Sequence, residues 1–168
     1  MSRRSRLTAK DVVGMLFNAP NTALGLGYGY LGHGIGKLLY DPKTARQKGS
    51  PFEGPPRIEK RRGRPEFVNN PFGGVGAITF GEATIYSRDP YEPNGSWQDH
   101  RRLTGQSVED HEDQHVIQGR HLGLAYLPSN LIGGLTALAL DRNWHGERNW
   151  NERGPRMNPP RPWPPRRS

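Results

Sequence analysis

The stretch Ser107-Val108-Glu109-Asp110-His111-Glu112-Asp113-Gln114-His115-Val116-Ile117-Gln118 joins a helix-start signal to two histidines four residues apart. Ser107 is a favoured N-cap, because its hydroxyl can accept from the unpaired amides of a first turn. Asp110, three residues on, makes an S-x-x-D capping box. The expected helix runs to Leu122 or Gly123. Residues four apart share a helix face, so His111 and His115 present two imidazoles to one point, as zinc binding by H-E-x-x-H requires. Glu112 is not a ligand in such an arrangement. It stands beside the first one, placed to act as general base toward water at the metal. The chain is therefore expected to be a zinc-dependent hydrolase of the peptidase kind, holding about one Zn2+ per chain.

A catalytic zinc site takes three protein ligands, and three residues offer the third. His121 completes H-E-x-x-H-x-x-x-x-x-H, the ligand spacing of metzincins. Gln118 stands where those enzymes have the glycine that bends the chain, and Gly119 is one place late. A straight helix carries His121 away from the face shared by His111 and His115. His145 lies in Asn143-Trp144-His145-Gly146, and Glu152 in Asn149-Trp150-Asn151-Glu152-Arg153.

His111-Glu112-x-x-His115-Val116-x-Gln118 resembles the HE-x-x-HV-x-Q motif of small bacterial zincin-like metallopeptidase domains, of the kind found in secreted effectors and polymorphic toxins. Leu122-Gly123-Leu124-Ala125-Tyr126-Leu127-Pro128 is similar to the LGPLYLP-type link of that group, and Asn149 to Arg153 is similar to its N-x-x-E-R segment. The likeness runs from Gly76 to Trp163 and departs from the group where Gly154-Pro155 replaces Glu-Ala. It implies an α+β fold in which the metal helix lies beside a short antiparallel sheet, with Glu152 as third ligand ahead of His145 and His121. The expected substrate is a peptide, of protein or cell wall; an edge strand of such a fold can hold it in extended form, with Ala77 to Tyr86 the candidate, or these strands serve the core alone.

Outward from the helix, the expected strands are Glu66-Phe67-Val68 and Ala77 to Tyr86, the latter folded at Gly81-Glu82. Asp89 to Gly105 carries turn signals and reads as loop. After the motif, Pro128-Ser129-Asn130 starts an apolar helix, Leu131 to Leu140, expected to be buried. Tyr126 and Trp144 are expected to pack rather than to stabilise an oxyanion. Residues 66–153 thus make the zincin-like catalytic domain. Before it lie a basic leader (1–10), a Gly-rich helical segment (11–39) broken at Asn18-Ala19-Pro20-Asn21, and a basic Pro/Gly loop (40–65). After it comes a Pro/Arg-rich arm, 154–168. In the helical segment Gly25, Gly29, Gly32 and Gly36 recur at spacings of three and four. They line one side, where another backbone can approach closely.

Composition bounds the alternatives. The 168 residues contain 22 glycines and 16 prolines, and only 32% are apolar, so one core with extended arms is expected rather than two domains. The absence of cysteine excludes disulfides, thiolate zinc sites and a cysteine nucleophile. The net charge of +8 points to an anionic partner for the basic arms. Two competing readings follow from the arms: a structural component of a larger assembly, such as a virion or secretion machine, and a basic nucleic-acid-binding protein. Gly27-Tyr28-Gly29-Tyr30-Leu31-Gly32 matches G-x-G-x-x-G but follows no strand, which argues against a dinucleotide site. No transmembrane segment is expected, since polar residues interrupt Val12 to Leu39. No signal-peptide pattern is present, which implies a cytoplasmic protein or export by a signal-less route.

Overall fold

The computed structural model describes residues 8–45, 47, 50–74, 76–92, 97 and 107–153. The leader up to residue 7, most of the loop expected over 89–105, and the arm with its Gly154-Pro155 departure lie outside them. The fold is α+β.

Helix α1 is Ala9–Phe17, and its cap is fully reciprocal. Thr8 Oγ1 accepts from the Asp11 amide at 3.2 Å, while the Asp11 carboxylate accepts from the Thr8 amide at 2.9 Å. Helix α2 is Ala19–Leu39, so the expected break narrows to Asn18 alone, with Pro20 tolerated in the new first turn. The glycine stripe behaves as its spacing predicts. Gly25, Gly29, Gly32 and Gly36 are all buried. A Cβ at Gly25 would come within 2.7 Å of Phe80, one at Gly36 within 2.9 Å of Pro71, and one at Gly29 would overlap the Phe67 ring. Without side chains there, the helix backbone lies directly on the sheet.

The basic loop expected over 40–65 ends early, because its charged run is a hairpin. Strand β1 (Arg57–Arg61) and strand β2 (Arg64–Val68) are joined by Arg62-Gly63, with φ of 51° and 80°. Two positive φ values make a type I′ turn, the two-residue connection that matches strand twist. The boundary drawn at Glu66 therefore falls inside a strand. The arginines are used internally. Arg61 pairs with Glu59, Arg57 with Glu59 and Asp89, and Arg62 and Arg64 both pair with Asp113 of the helix that carries His111 and His115.

Strands β3 (Ala77–Phe80) and β4 (Ala83–Tyr86) form the expected hairpin, turning at Gly81 with φ 62°. The sheet order is β1-β2-β4-β3, and the sheet is mixed rather than antiparallel as expected. The chain leaves β2 through the turn Pro71–Gly73, runs out along β3 and returns on β4. Strand β4 thus lies parallel to β2, with Glu66 opposite Thr84 and Phe67 opposite Ile85. The two sheet faces differ in chemistry. Phe67, Ala83 and Ile85, with Leu26, Phe72 and Phe80, form the core beneath α2. On the other face Thr79 and Thr84, which are register partners, share a hydrogen bond of 3.2 Å.

Helix α3 is Val108–Leu122 and helix α4 is Tyr126–Asp141. Ser107 caps α3 by accepting from the Asp110 amide at 3.1 Å. The Asp110 carboxylate turns to Arg62 at 3.4 Å, so the cap is one-sided where a box was expected. Gly119 lets Asn18 approach α3: a Cβ there would lie 2.5 Å from Asn18 Nδ2. Arg120 ties the same end to the β3–β4 turn through two bonds to Glu82, of 2.8 and 2.7 Å.

Helix α4 starts before Pro128 and is not the buried helix expected. Gly133, Gly134 and Ala137 are buried, but Leu131, Ile132, Leu135 and Leu138 are exposed. Its covered face is a narrow strip of small residues against Trp144 and Asn149, which leaves the branched side chains outside. The helical stretch Val108–Asp141 is long and apolar enough to cross a membrane by length and composition, with a mean hydropathy of 1.3 over 18 residues. Its α3 half carries Glu109, Asp110, Glu112 and Asp113. The α4 half, 16 residues, reaches about 24 Å against a hydrocarbon core of about 30 Å.

Candidate metal centre

Helix α3 places His111 and His115 one turn apart with their Nε2 atoms 3.2 Å from each other. Glu152 arrives from the far side of α4. Its Oε2 lies 3.3 Å from His111 Nε2, and its Oε1 lies 3.4 Å from His115 Nε2. Tetrahedral zinc with bonds of about 2.0–2.1 Å holds its ligand atoms about 3.3 Å apart. The three separations fit that geometry. Oε2 of Glu152 is buried, and beyond its 3.3 Å approach to His111 Nε2 it makes no well-formed hydrogen bond among the described residues. Two neutral imidazoles and a carboxylate are a zinc-type donor set.

Of the alternative third ligands, neither joins the group. His145 is exposed and lines the same cavity, outside the cluster. His121 faces the other side of α3, in a groove beside α1, where its Nδ1 lies 2.8 Å from the Ile117 carbonyl. That is where helical geometry carries a residue six places beyond His115.

A dense shell fixes the candidate ligands. Gln118 is fully buried. Its Oε1 lies 2.9 Å from His115 Nδ1, and its Nε2 donates to the Asn151 carbonyl at 2.6 Å. With the Gln118 amide so committed, His115 Nδ1 must be the donor, and Nε2 keeps its lone pair for a metal. The same side chain fastens the Glu152 segment to the helix. That segment is a chain of turns. The Glu152 amide donates to the Asn149 carbonyl at 3.0 Å, the Asn151 amide donates to Asn149 Oδ1 at 3.2 Å, and Asn151 Nδ2 reaches Ser129 Oγ at 3.2 Å. Gly133 makes room for it, since a Cβ there would meet Asn149 Oδ1 at 2.6 Å.

Glu112 is buried, and its Oε2 accepts from Thr79 Oγ1 on β3 at 2.7 Å. It lines a cavity of about 940 Å³ with the three candidate ligands. The walls include Val108, Leu127, Leu131 and Trp144, and the outer edge of β3 runs along it. Tyr126 is buried among these groups, packed against His115 and sharing a hydrogen bond with Asn130. Burial, then the charges of Glu112 and Glu152, push its hydroxyl well above the usual range, so it stays neutral. Trp144 is half-buried, packing on Gly134 while also lining the cavity.

The charges in the cluster are coupled. Burial alone pulls His115 down, but the hydrogen bond and charge of Glu152 outweigh it and raise the imidazole to about 9. Burial pushes Glu152 up, and the two histidines more than reverse this, leaving its carboxyl well below the ordinary range. Without a metal, the pair is an imidazolium facing a carboxylate.

Gln118, Asn149, Asn151 and Thr79 were not assigned supporting roles by the sequence reading. The Asx-rich N-x-N-E run was a usable signal for the last turn, because asparagines organise turns through their own backbone. Nothing local in the sequence marks Thr79. No protein-family model, curated protein or solved structure matches the chain.

Proposed function

We propose that this chain is a zinc-dependent hydrolase of the metallopeptidase kind, with a zincin-like catalytic domain. His111, His115 and Glu152 hold the metal, and Glu112 is the general base. One observation carries the reading: donor atoms from two segments more than thirty residues apart meet at zinc-ligand spacing beside a buried glutamate. When bound, the ion supplies Lewis-acid polarisation and a nucleophile competent at neutral pH.

The chain's own groups supply the remainder. Thr79 steers the Glu112 carboxylate by donating to Oε2, and the carboxylate takes a proton from attacking water and passes it to the leaving amine. The outer edge of β3 offers backbone groups for pairing with an extended peptide, and the apolar cavity walls receive its side chains. The nucleic-acid alternative is less favoured in the Arg57 to Arg64 run, whose four arginines all pair with carboxylates of the fold.

A quenched-fluorescence peptide library tests this reading. Hydrolysis should vanish with chelator and return with zinc. Glu112→Gln should keep the metal and lose about 10²–10⁴-fold in rate. Cleavage that survives both treatments would refute the assignment.

A further inference from the structure

From Val12 to Gly36 the chain has no Lys, Arg, Asp or Glu, yet much of this stretch is not interior. Helix α2 spends its glycine stripe on the sheet and turns other faces outward. Leu24, Leu31 and Leu38, spaced by seven and therefore on one stripe, are 57%, 59% and 87% exposed. Helix α1 does the same: Gly14 packs on Arg120 while Val13, Leu16 and Phe17 stand outside. Single exposed leucines are ordinary, but a run of this length on consecutive helices marks a contact surface.

Charge identifies what covers it. Arg3, Arg4, Arg6 and Lys10 precede the uncharged stretch, and Lys37, Lys43, Arg46 and Lys48 follow it. The acidic residues nearby are committed locally. Asp11 turns to Thr8 and Arg120, and Asp41 accepts from the Lys43 amide at 2.9 Å. Among the described residues Lys10 precedes the apolar faces and Lys37 and Lys43 follow them, and the sequence adds further arginines and lysines on both sides; such a pattern matches an anionic bilayer surface, where leucines enter the acyl boundary and cations meet headgroups. A second copy of the chain fits poorly. Parallel or antiparallel, it would set cationic ends against cationic ends. A spanning role is disfavoured by the packed glycine stripe, which seats α2 on the sheet at Gly25 and Gly29 and on Asn70 to Phe72 and Pro56 at Gly32 and Gly36.

We propose that α1 and α2 form an interfacial membrane-docking face that seats the domain on anionic lipid, independently of the metal centre. The test is vesicle flotation of the full chain, with zinc content measured on the same samples. At about 0.1 M salt the wild type should float with phosphatidylcholine vesicles containing roughly 30% phosphatidylglycerol, and much less with phosphatidylcholine alone. The triple variant Leu24→Asp, Leu31→Asp, Leu38→Asp should bind at least about tenfold more weakly, with unchanged circular dichroism and zinc content. Wild type that stays unbound overturns the proposal. So does a triple variant that binds as well as wild type, or loss of binding with Leu135→Asp on α4 instead. Concentration-dependent dimerisation abolished by the triple variant, without vesicle binding, would assign the face to a second copy and overturn it too.

Discussion

Replacing Gln118 by leucine removes one side chain and strands two buried groups. His115 Nδ1 loses its acceptor at 2.9 Å, and the Asn151 carbonyl loses its donor at 2.6 Å. A buried polar group without a partner costs about 1–3 kcal/mol, so the two together cost roughly 2–6 kcal/mol of stability before the apolar gain of leucine. The imidazole also loses its fixed tautomer and orientation, which costs about 10–100-fold in metal affinity when an outer partner of a ligand is removed. Urea unfolding of the chelated protein measures the first quantity, and zinc competition against a chromophoric chelator measures the second. Gln118→Glu separates them. A carboxylate still accepts from His115 Nδ1 but has no proton for the Asn151 carbonyl, so affinity recovers while the stability loss persists. If Gln118→Leu binds zinc within about twofold of wild type and unfolds at the same urea concentration, the shell argument is wrong.

Further outcomes follow from the same geometry. Gly29→Ala drives a methyl into the Phe67 ring and should destabilise by about 1–3 kcal/mol, whereas Gly27→Ala meets nothing within 4 Å and should gain up to about 1 kcal/mol of helix propensity; thermal unfolding of both compares them. His115, raised to about 9, stabilises the metal-free fold fully below its ordinary value of 6.5, and this is lost as pH rises through 9. Glu152, lowered, contributes above its ordinary 4.5 and loses this as pH falls further. The chelated protein should therefore resist urea better at pH 5.5 than at pH 9.5. Zinc binding at neutral pH should release about one proton from His115, read by calorimetry in buffers of different ionisation enthalpy. Thr79→Val should keep the metal and lower peptide hydrolysis about tenfold, since Glu112 loses the donor that aims it, while Thr84 loses only a hydroxyl partner on the sheet face.

The parts of the fold written in local pattern were legible from the sequence. The metal helix followed from its cap and its i, i+4 histidines, and the Gly-faced helix from its glycine spacing. The β3–β4 hairpin followed from two short apolar runs around Gly81. Pairing between distant segments was not legible. The run Arg57 to Arg64 read as a solvated loop because its charges find partners only in three dimensions, on Asp89 and Asp113. The parallel pairing of β2 with β4 depends on β3 taking the outer edge, which no single strand encodes. At the site, two candidate ligands and the proposed base lay in one motif. The third was singled out by resemblance, and the geometry that brings it near the histidines is set by Gln118 and by asparagines that carry no chemistry of their own.

Zinc stoichiometry by elemental analysis is the most direct test of the centre. Wild type should hold about one zinc per chain, His115→Ala and Glu152→Ala should lose it, and Glu112→Gln and His145→Ala should keep it. Metal-free wild type from zinc-replete medium, or a full zinc complement in Glu152→Ala, would contradict the account.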